Sequence, residues 1–211
     1  HGNGAEVPFG SFQTLGDLWI DFEKESSYKN YYRELDLENA VVRIQYTQEG
    51  IQYKREIFIS EPDQLMVIKL TADKPGSISF KSSMSRPEKF TATTKNDQLI
   101  MHGKLSGGKG GEGLEYMARL TAINKEGRVQ YIDNQIVVEE ANEVILLLSA
   151  STDYILDYPG YKGRDYKSIT AKNLEDGKKT FYENLLINHK NEYQKYYNRL
   201  SFKLTSKPDT I

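Results

Sequence analysis

Cysteine is absent from the 211 residues, which excludes disulfides and thiol chemistry but leaves the compartment open. Histidine is scarce. His1, His102 and His189 stand far apart, so no zinc motif of the HExxH or Cys/His type can be built from local spacing. There is one tryptophan, Trp19. No apolar run approaches the roughly 20 residues of a membrane-spanning helix. The longest, Val144 to Leu148, is strand-sized. Neither sign of charge dominates: 28 Lys and Arg meet 30 Asp and Glu. The sequence therefore lacks the basic footprint of a nucleic-acid partner, and neither nucleic acid nor membrane is expected. The chain opens on His1, with no charged segment leading into an apolar one. It reads as an interior piece of a longer protein, and the missing leader says nothing about secretion.

What is present is alternation. Ala40, Val42, Ile44 and Tyr46 form an apolar row interleaved with Val41, Arg43, Gln45 and Thr47. Gln48-Glu49-Gly50 supplies a turn with a glycine where positive φ is useful. Ile51, Tyr53, Arg55, Ile57 and Ile59 then alternate with Gln52, Lys54, Glu56 and Phe58, and a third run starts at Leu65. A period of two over three runs predicts antiparallel strands with one wetter face. The same reading gives strands over 12–22, 77–84, 90–94, 99–105, 115–123 and 135–139, with 23–31 a polar loop. Glu143 to Ser149 reads as a strand buried on both faces. Roughly ten strands with short turns, and 15 tyrosines to edge them, are the pattern of a β-sandwich.

From Ser151 the character changes. Asp153 to Lys167 is a tyrosine-rich loop, and from Ser168 the period becomes helical. Glu175 and Asp176 are expected in a first helical turn, where the helix dipole favours carboxylates. Gly177 and Ile187-Asn188-His189 are expected to interrupt the helix. Tyr193, Tyr196, Tyr197 and Leu200 share one stripe, and Ser201 to Leu204 alternates once more. The division is thus a β-sandwich domain over 1–150, incomplete at its N-terminus, and a loop and helical linker over 151–211.

Ser106 to Gly113, SGGKGGEG, contains a formal GxGxxG. A dinucleotide site needs that pattern between a parallel strand and a helix, whereas here it separates two β-type segments, so a hairpin loop is expected. Asp17, Asp21, Glu34, Asp36, Asp153, Asp157 and Asp165 are carboxylates, but nothing in the sequence pairs any two as a glycosidase requires. Three isolated histidines offer little choice of base for a Ser-His-Asp arrangement. No catalytic residue, metal ligand or cofactor site is therefore assigned. Trp19 falls on the more polar face of its strand and is the candidate substrate-binding residue, as a sugar-stacking ring, with the tyrosines as further candidates for stacking if the piece is a carbohydrate-binding module. The alternative role of Trp19 is to cover the sheet edge or contact another domain.

FQTLGDLWIDF, YYRELDLENAVVRIQY, YKREIFISEPDQLMVIKLTADKPGSISF and HKNEYQKYYNRLSFKL resemble successive blocks of glycoside hydrolase family 95, chiefly α-L-fucosidases with some α-L-galactosidases. The resemblance covers nearly all of 12–204. It implies a mainly β fold, an antiparallel β-super-sandwich followed by an α-helical linker, that supports an (α/α)6 barrel elsewhere in the same polypeptide. That barrel would hold the acid and base of an inverting mechanism acting on an oligosaccharide, and no residue here matches those positions. A location outside the cytoplasm, periplasmic or secreted, is expected from the family. The rival expectations are a carbohydrate-binding module and a purely structural domain.

Overall fold

The structure, a computed structural model, describes residues 13–22, 26–106 and 111–201. Twelve strands and two helices follow in order: β1 (Asp17–Asp21), β2 (Tyr28–Asp36), β3 (Val41–Gln48), β4 (Ile51–Ser60), β5 (Leu65–Ala72), β6 (Ile78–Ser85), β7 (Thr91–Lys95), β8 (Gln98–Ser106), β9 (Glu112–Lys125), β10 (Arg128–Ile132), β11 (Gln135–Ala141), β12 (Glu143–Thr152), α1 (Tyr166–Lys179) and α2 (Tyr182–Tyr197). They build two antiparallel sheets, one ordered β1-β6-β11-β10, the other β2-β3-β4-β5-β12-β9-β8-β7. The expected mainly β sandwich followed by helices is what forms. The turn at Glu49-Gly50 has both residues at positive φ, 53° and 78°, and Glu126-Gly127 repeats this at 57° and 70°. Such turns match the right-handed twist of the strands they join.

The main core lies between the sheets. Ile78, Phe80 and Met84 of β6 and Ile136 and Val138 of β11 meet Ile68 and Leu70 of β5, Leu99 and Met101 of β8, Leu120 of β9 and Leu146 of β12. The smaller sheet covers only part of the larger one. Leu35, Val42, Ile57 and Ile68 stand side by side across β2 to β5. Exposure along that row falls from 58% at Leu35 to 4% at Ile68. The apolar alternation of β2 to β4 therefore runs past the edge strand β1, whose far edge is unpaired among the described residues.

The wetter face inferred for the three central strands is not uniformly wet. Val41 and Phe58 alternate into what was expected to be the polar side, yet both are buried. There they join Leu65, Val67, Leu147, Leu174, Tyr182 and Leu185 in a second core beneath the helices. Helices packed on the back of the sheet supply the cover, which period-two counting in the strands could not register. β12 is buried on both faces as expected, since Leu146 enters the first core and Leu147 the second.

Other expectations are corrected. Residues 28–31, assigned to a polar loop, belong to β2, an exposed edge strand held by pairing with β3 rather than by burial. β10 was missed because only five residues with one alternation cycle separate two tight turns. Glu175 and Asp176 sit late in α1. Its start is capped by Asp165, whose carboxylate accepts from the Ser168 amide, and no acidic residue occupies the first turn. The helical break falls at Thr180–Phe181, where Thr180 is extended and its hydroxyl bonds back to the Asp176 carbonyl. Residues 187–189 continue inside α2. Gly177 is a contact residue, not a breaker, since a Cβ there would fall 2.4 Å from Leu65 Cδ1. The alternation inferred for 201–204 lies outside the described residues beyond Ser201.

Candidate functional site

Trp19 lies where β1 alternates outward, and the residue is 51% exposed. Its Nε1 donates to Ser85 Oγ at 2.9 Å, and its backbone carbonyl accepts from Ser82 Oγ at 2.8 Å. It borders an apolar groove of about 410 Å³ with Leu15, Leu18, Met66, Met84, Met101 and Leu148. This combination of apolar walls and one indole suits apolar contact more than recognition of a hydroxylated ligand. Among the described residues no hydrogen bond or ring contact joins Trp19 to the tyrosine-rich loop.

That loop and the glycine-rich hairpin, far apart in sequence, are brought together. β8 and β9 run antiparallel on either side of 107–110, so the GxGxxG joins two strands of one hairpin. Residues 153–165 fold over the hairpin's base. Asp153 Oδ1 accepts from the Glu115 amide at 2.9 Å, and Lys162 Nζ donates to the carbonyls of Glu112 and Gly113. The loop closes on itself: the Gly163 and Arg164 amides both bond the Asp153 carbonyl, and the Tyr161 amide bonds the carbonyl of Asp157. Tyr154 and Tyr161 lie parallel, 4° apart in plane with centroids 6.3 Å apart, and Tyr158 meets Tyr161 edge-on.

Beside this loop a cleft of about 600 Å³ is lined by Phe90, His102, Lys104, Glu115, Tyr166 and Lys167, among others. Glu115 is its hub. The Tyr166 hydroxyl donates to Glu115 Oε2 at 2.6 Å, and Lys104 Nζ stands 3.7 Å from Oε1. The Tyr166 hydrogen bond and the Lys104 charge hold the Glu115 carboxyl below its ordinary range. Burial, then the bond to Glu115, pushes the Tyr166 phenol up. Glu112 is likewise held down by its ion pair with Lys104, which raises the lysine. Both carboxylates are thereby favoured in their ionised form. The cleft offers charge and hydrogen bonds, with Glu115 the one carboxylate among the described residues that line it.

The carboxylates singled out in the sequence have other tasks. Arg43 bonds Glu34 Oε1 and Asp36 Oδ2, each at 3.0 Å, and reaches Glu56 Oε1 at 3.3 Å. Hydrogen bonds from Asn39 and Arg43 hold Asp36 down to about 2. Asp153 pins the loop, Asp165 caps α1, and Asp17, Asp21 and Asp157 are exposed. His189 is buried, stacked on Phe58, with Nε2–H donating to the carbonyls of Asn39 and Ala40. Glu115, Tyr166 and His102 were not picked out as a group. Each sits in an ordinary strand or helix pattern, and they meet only because β9 pairs with both β8 and β12, the second pairing bringing the start of α1 to Glu115. Among the described residues no cluster of three or more His, Cys, Asp or Glu could hold a metal ion, and no helix is long and apolar enough to cross a membrane.

Comparison with known proteins places these features in a lineage. Residues 1–156 match the family described as glycosyl hydrolase family 65, N-terminal domain. The chain is 30% identical to Alpha-L-fucosidase 2 of Arabidopsis thaliana over 94% of its length, covering 27% of that protein. It is 25% identical to the Probable alpha-fucosidase A of Aspergillus niger over 95% of its length, covering 26% of that protein. The chain thus spans about a quarter of the length of these curated relatives. Among solved structures, a putative kojibiose phosphorylase from human microbiome superposes with a TM-score of 0.57 at 12% identity. That match covers 85% of this chain and 27% of the other, and it is a likeness of fold.

Proposed function

The chain belongs to the glycosyl hydrolase family 65 N-terminal domain family, and from that premise we propose that it is the non-catalytic N-terminal portion of an α-L-fucosidase acting on fucosylated glycans. The observation that carries this reading is the alignment of nearly the whole chain, at 30% identity, with about a quarter of a protein named Alpha-L-fucosidase 2. Catalysis then resides in a barrel domain of the same polypeptide, working with inversion, and the sandwich supports it. Membership of family 95, suggested by the LGDL, RELDL and REIFISEPDQ blocks, and a location outside the cytoplasm are parts of the same proposal.

The test is hydrolysis of 2′-fucosyllactose by the whole protein and by residues 1–211 alone. Turnover is expected from the whole protein only. Turnover by residues 1–211 would place catalysis in the sandwich and overturn the assignment. Failure of the whole protein on fucosides, with activity on another α-glycoside, would retain the hydrolase and reject the fucosidase.

A further inference from the structure

We propose that the loop 153–165 is a preformed sugar-stacking platform, on which a pyranose ring of the bound glycan beyond the bond that is cut stacks on Tyr158, whose ring Tyr161 holds edge-on. This rests on the glycoside-hydrolase reading above and adds a binding site on the sandwich side of the substrate. Three observations on the loop converge.

The aromatic surface is exposed but held. Tyr158 is 82% exposed, while Tyr154 and Tyr161 are about half as exposed. Three exposed aromatics on one short loop form a patch of the kind that marks an interaction site. The loop that carries them is tied at its start and across its middle. Asp153 anchors it to β9, the bridge between Tyr154 and Lys162 closes it, and Lys162 locks it to the glycine-rich hairpin. The ring geometry therefore exists before any ligand arrives, which lowers the ordering cost of binding.

The chemistry around the rings is mixed. A pyranose presents a face of C–H bonds and a rim of hydroxyls. An aromatic face takes the first, and flanking charged or amphipathic groups take the second. The same loop carries two exposed charged residues, Asp157 and Arg164. The adjoining cleft adds Lys104, Lys167 and His102. By contrast the Trp19 groove is walled mostly by Leu and Met, with Asp17 the one charged residue in its lining.

The place is right for a long ligand. Asp153 at the start of the loop is tied to Glu115 through its carboxylate, and Tyr166 just after the loop through its hydroxyl, so the loop adjoins the cleft that Glu115 and Tyr166 line. A glycan stacked on Tyr158 would reach the cleft through its neighbouring residues.

The experiment compares the whole protein with its Tyr158→Ala, Tyr161→Ala and Tyr158→Phe variants on 2′-fucosyllactose and on a small aryl fucoside. Tyr158 is nearly fully exposed, so its replacement leaves the fold intact. The expected result is a fall of about tenfold in the ratio of kcat/KM for the oligosaccharide over that for the aryl fucoside. That fall should appear in both alanine variants and be reversed in Tyr158→Phe, which keeps the ring. An unchanged ratio would overturn the proposal. So would a parallel loss on both substrates with a lowered melting temperature, which would make the loop a packing surface against another domain. If the whole protein cleaves neither fucoside, the proposed function fails, and the platform is read by glycan-array binding instead. Glycans bound by the parent and lost by Tyr158→Ala would support the platform, and binding that is absent or equal in both would reject it.

Discussion

Arg43 gathers Glu34, Asp36 and Glu56, and Asp36 gives this cluster a pH signature. Its carboxyl is held down to about 2 from an ordinary 3.8, first by Asn39 and then by Arg43. A carboxyl depressed in the folded state stabilises fully above its unfolded value, and that stabilisation is lost as pH falls through the folded one. Thermal unfolding of the chain should therefore lose stability between about pH 4 and about pH 2, and Asp36→Asn should flatten that part of the curve. An identical slope in parent and variant would remove Asp36 from the acid response. In the sequence Glu34 and Asp36 are two of seven candidate carboxylates that nothing pairs. Their alternation in β2 and the position of Arg43 in β3 put all three on one face, but the register that aligns Glu34 with Arg43 is a tertiary fact.

At the scale of elements, α2 has two halves with different surroundings. Tyr182, Leu185 and His189 are buried against the sheet, with Tyr182 bonded to Glu56 and His189 to the turn after β2. Further on, Tyr193 still donates to the Leu37 carbonyl and stacks on Tyr197, but Tyr196 and Leu200 stand in solvent. The stripe of Tyr193, Tyr196, Tyr197 and Leu200 is thus docked at one end only. A helix of this length has little stability of its own, so its protection should follow its packing. In residues 1–211, amide exchange should be slow over 185–189, close to the central strands, and several-fold faster beyond 193. Uniform protection through Tyr197 would show that the second half needs no further partner.

The whole molecule has a larger sheet that outruns the smaller. Leu35 and Ile59 point to the inner side of the sandwich, yet no layer of the described residues covers them. Each large apolar side chain left exposed forgoes about 1.5–3 kcal/mol of burial. An unpaired edge at β1 beside such a face is a template for association. Residues 1–211 alone should therefore self-associate at high concentration, and Leu35→Glu with Ile59→Lys should suppress this in sedimentation measurements. If the longer polypeptide covers this face, the same pair should lower the melting temperature of the whole protein. A concentration-independent monomer in the unsubstituted fragment would show that the face is tolerated open.

The period-two runs from Ala40 to Leu70, the glycine turns and the helical period after Ser168 determined the class of fold. Local sterics and the need to bury one face leave little choice at that level. Blocks such as REIFISEPDQ also marked the lineage without any coordinates. Burial of Val41 and Phe58 was a different matter, because it depends on which face α1 and α2 choose to cover. The same holds for Gly177, a breaker by propensity that instead lets a helix approach Leu65. The candidate site was least legible of all. Lys162 lies roughly fifty residues from the hairpin carbonyls it holds, as does Tyr166 from Glu115, and only the antiparallel return of β9 beside β8 and β12 closes those distances.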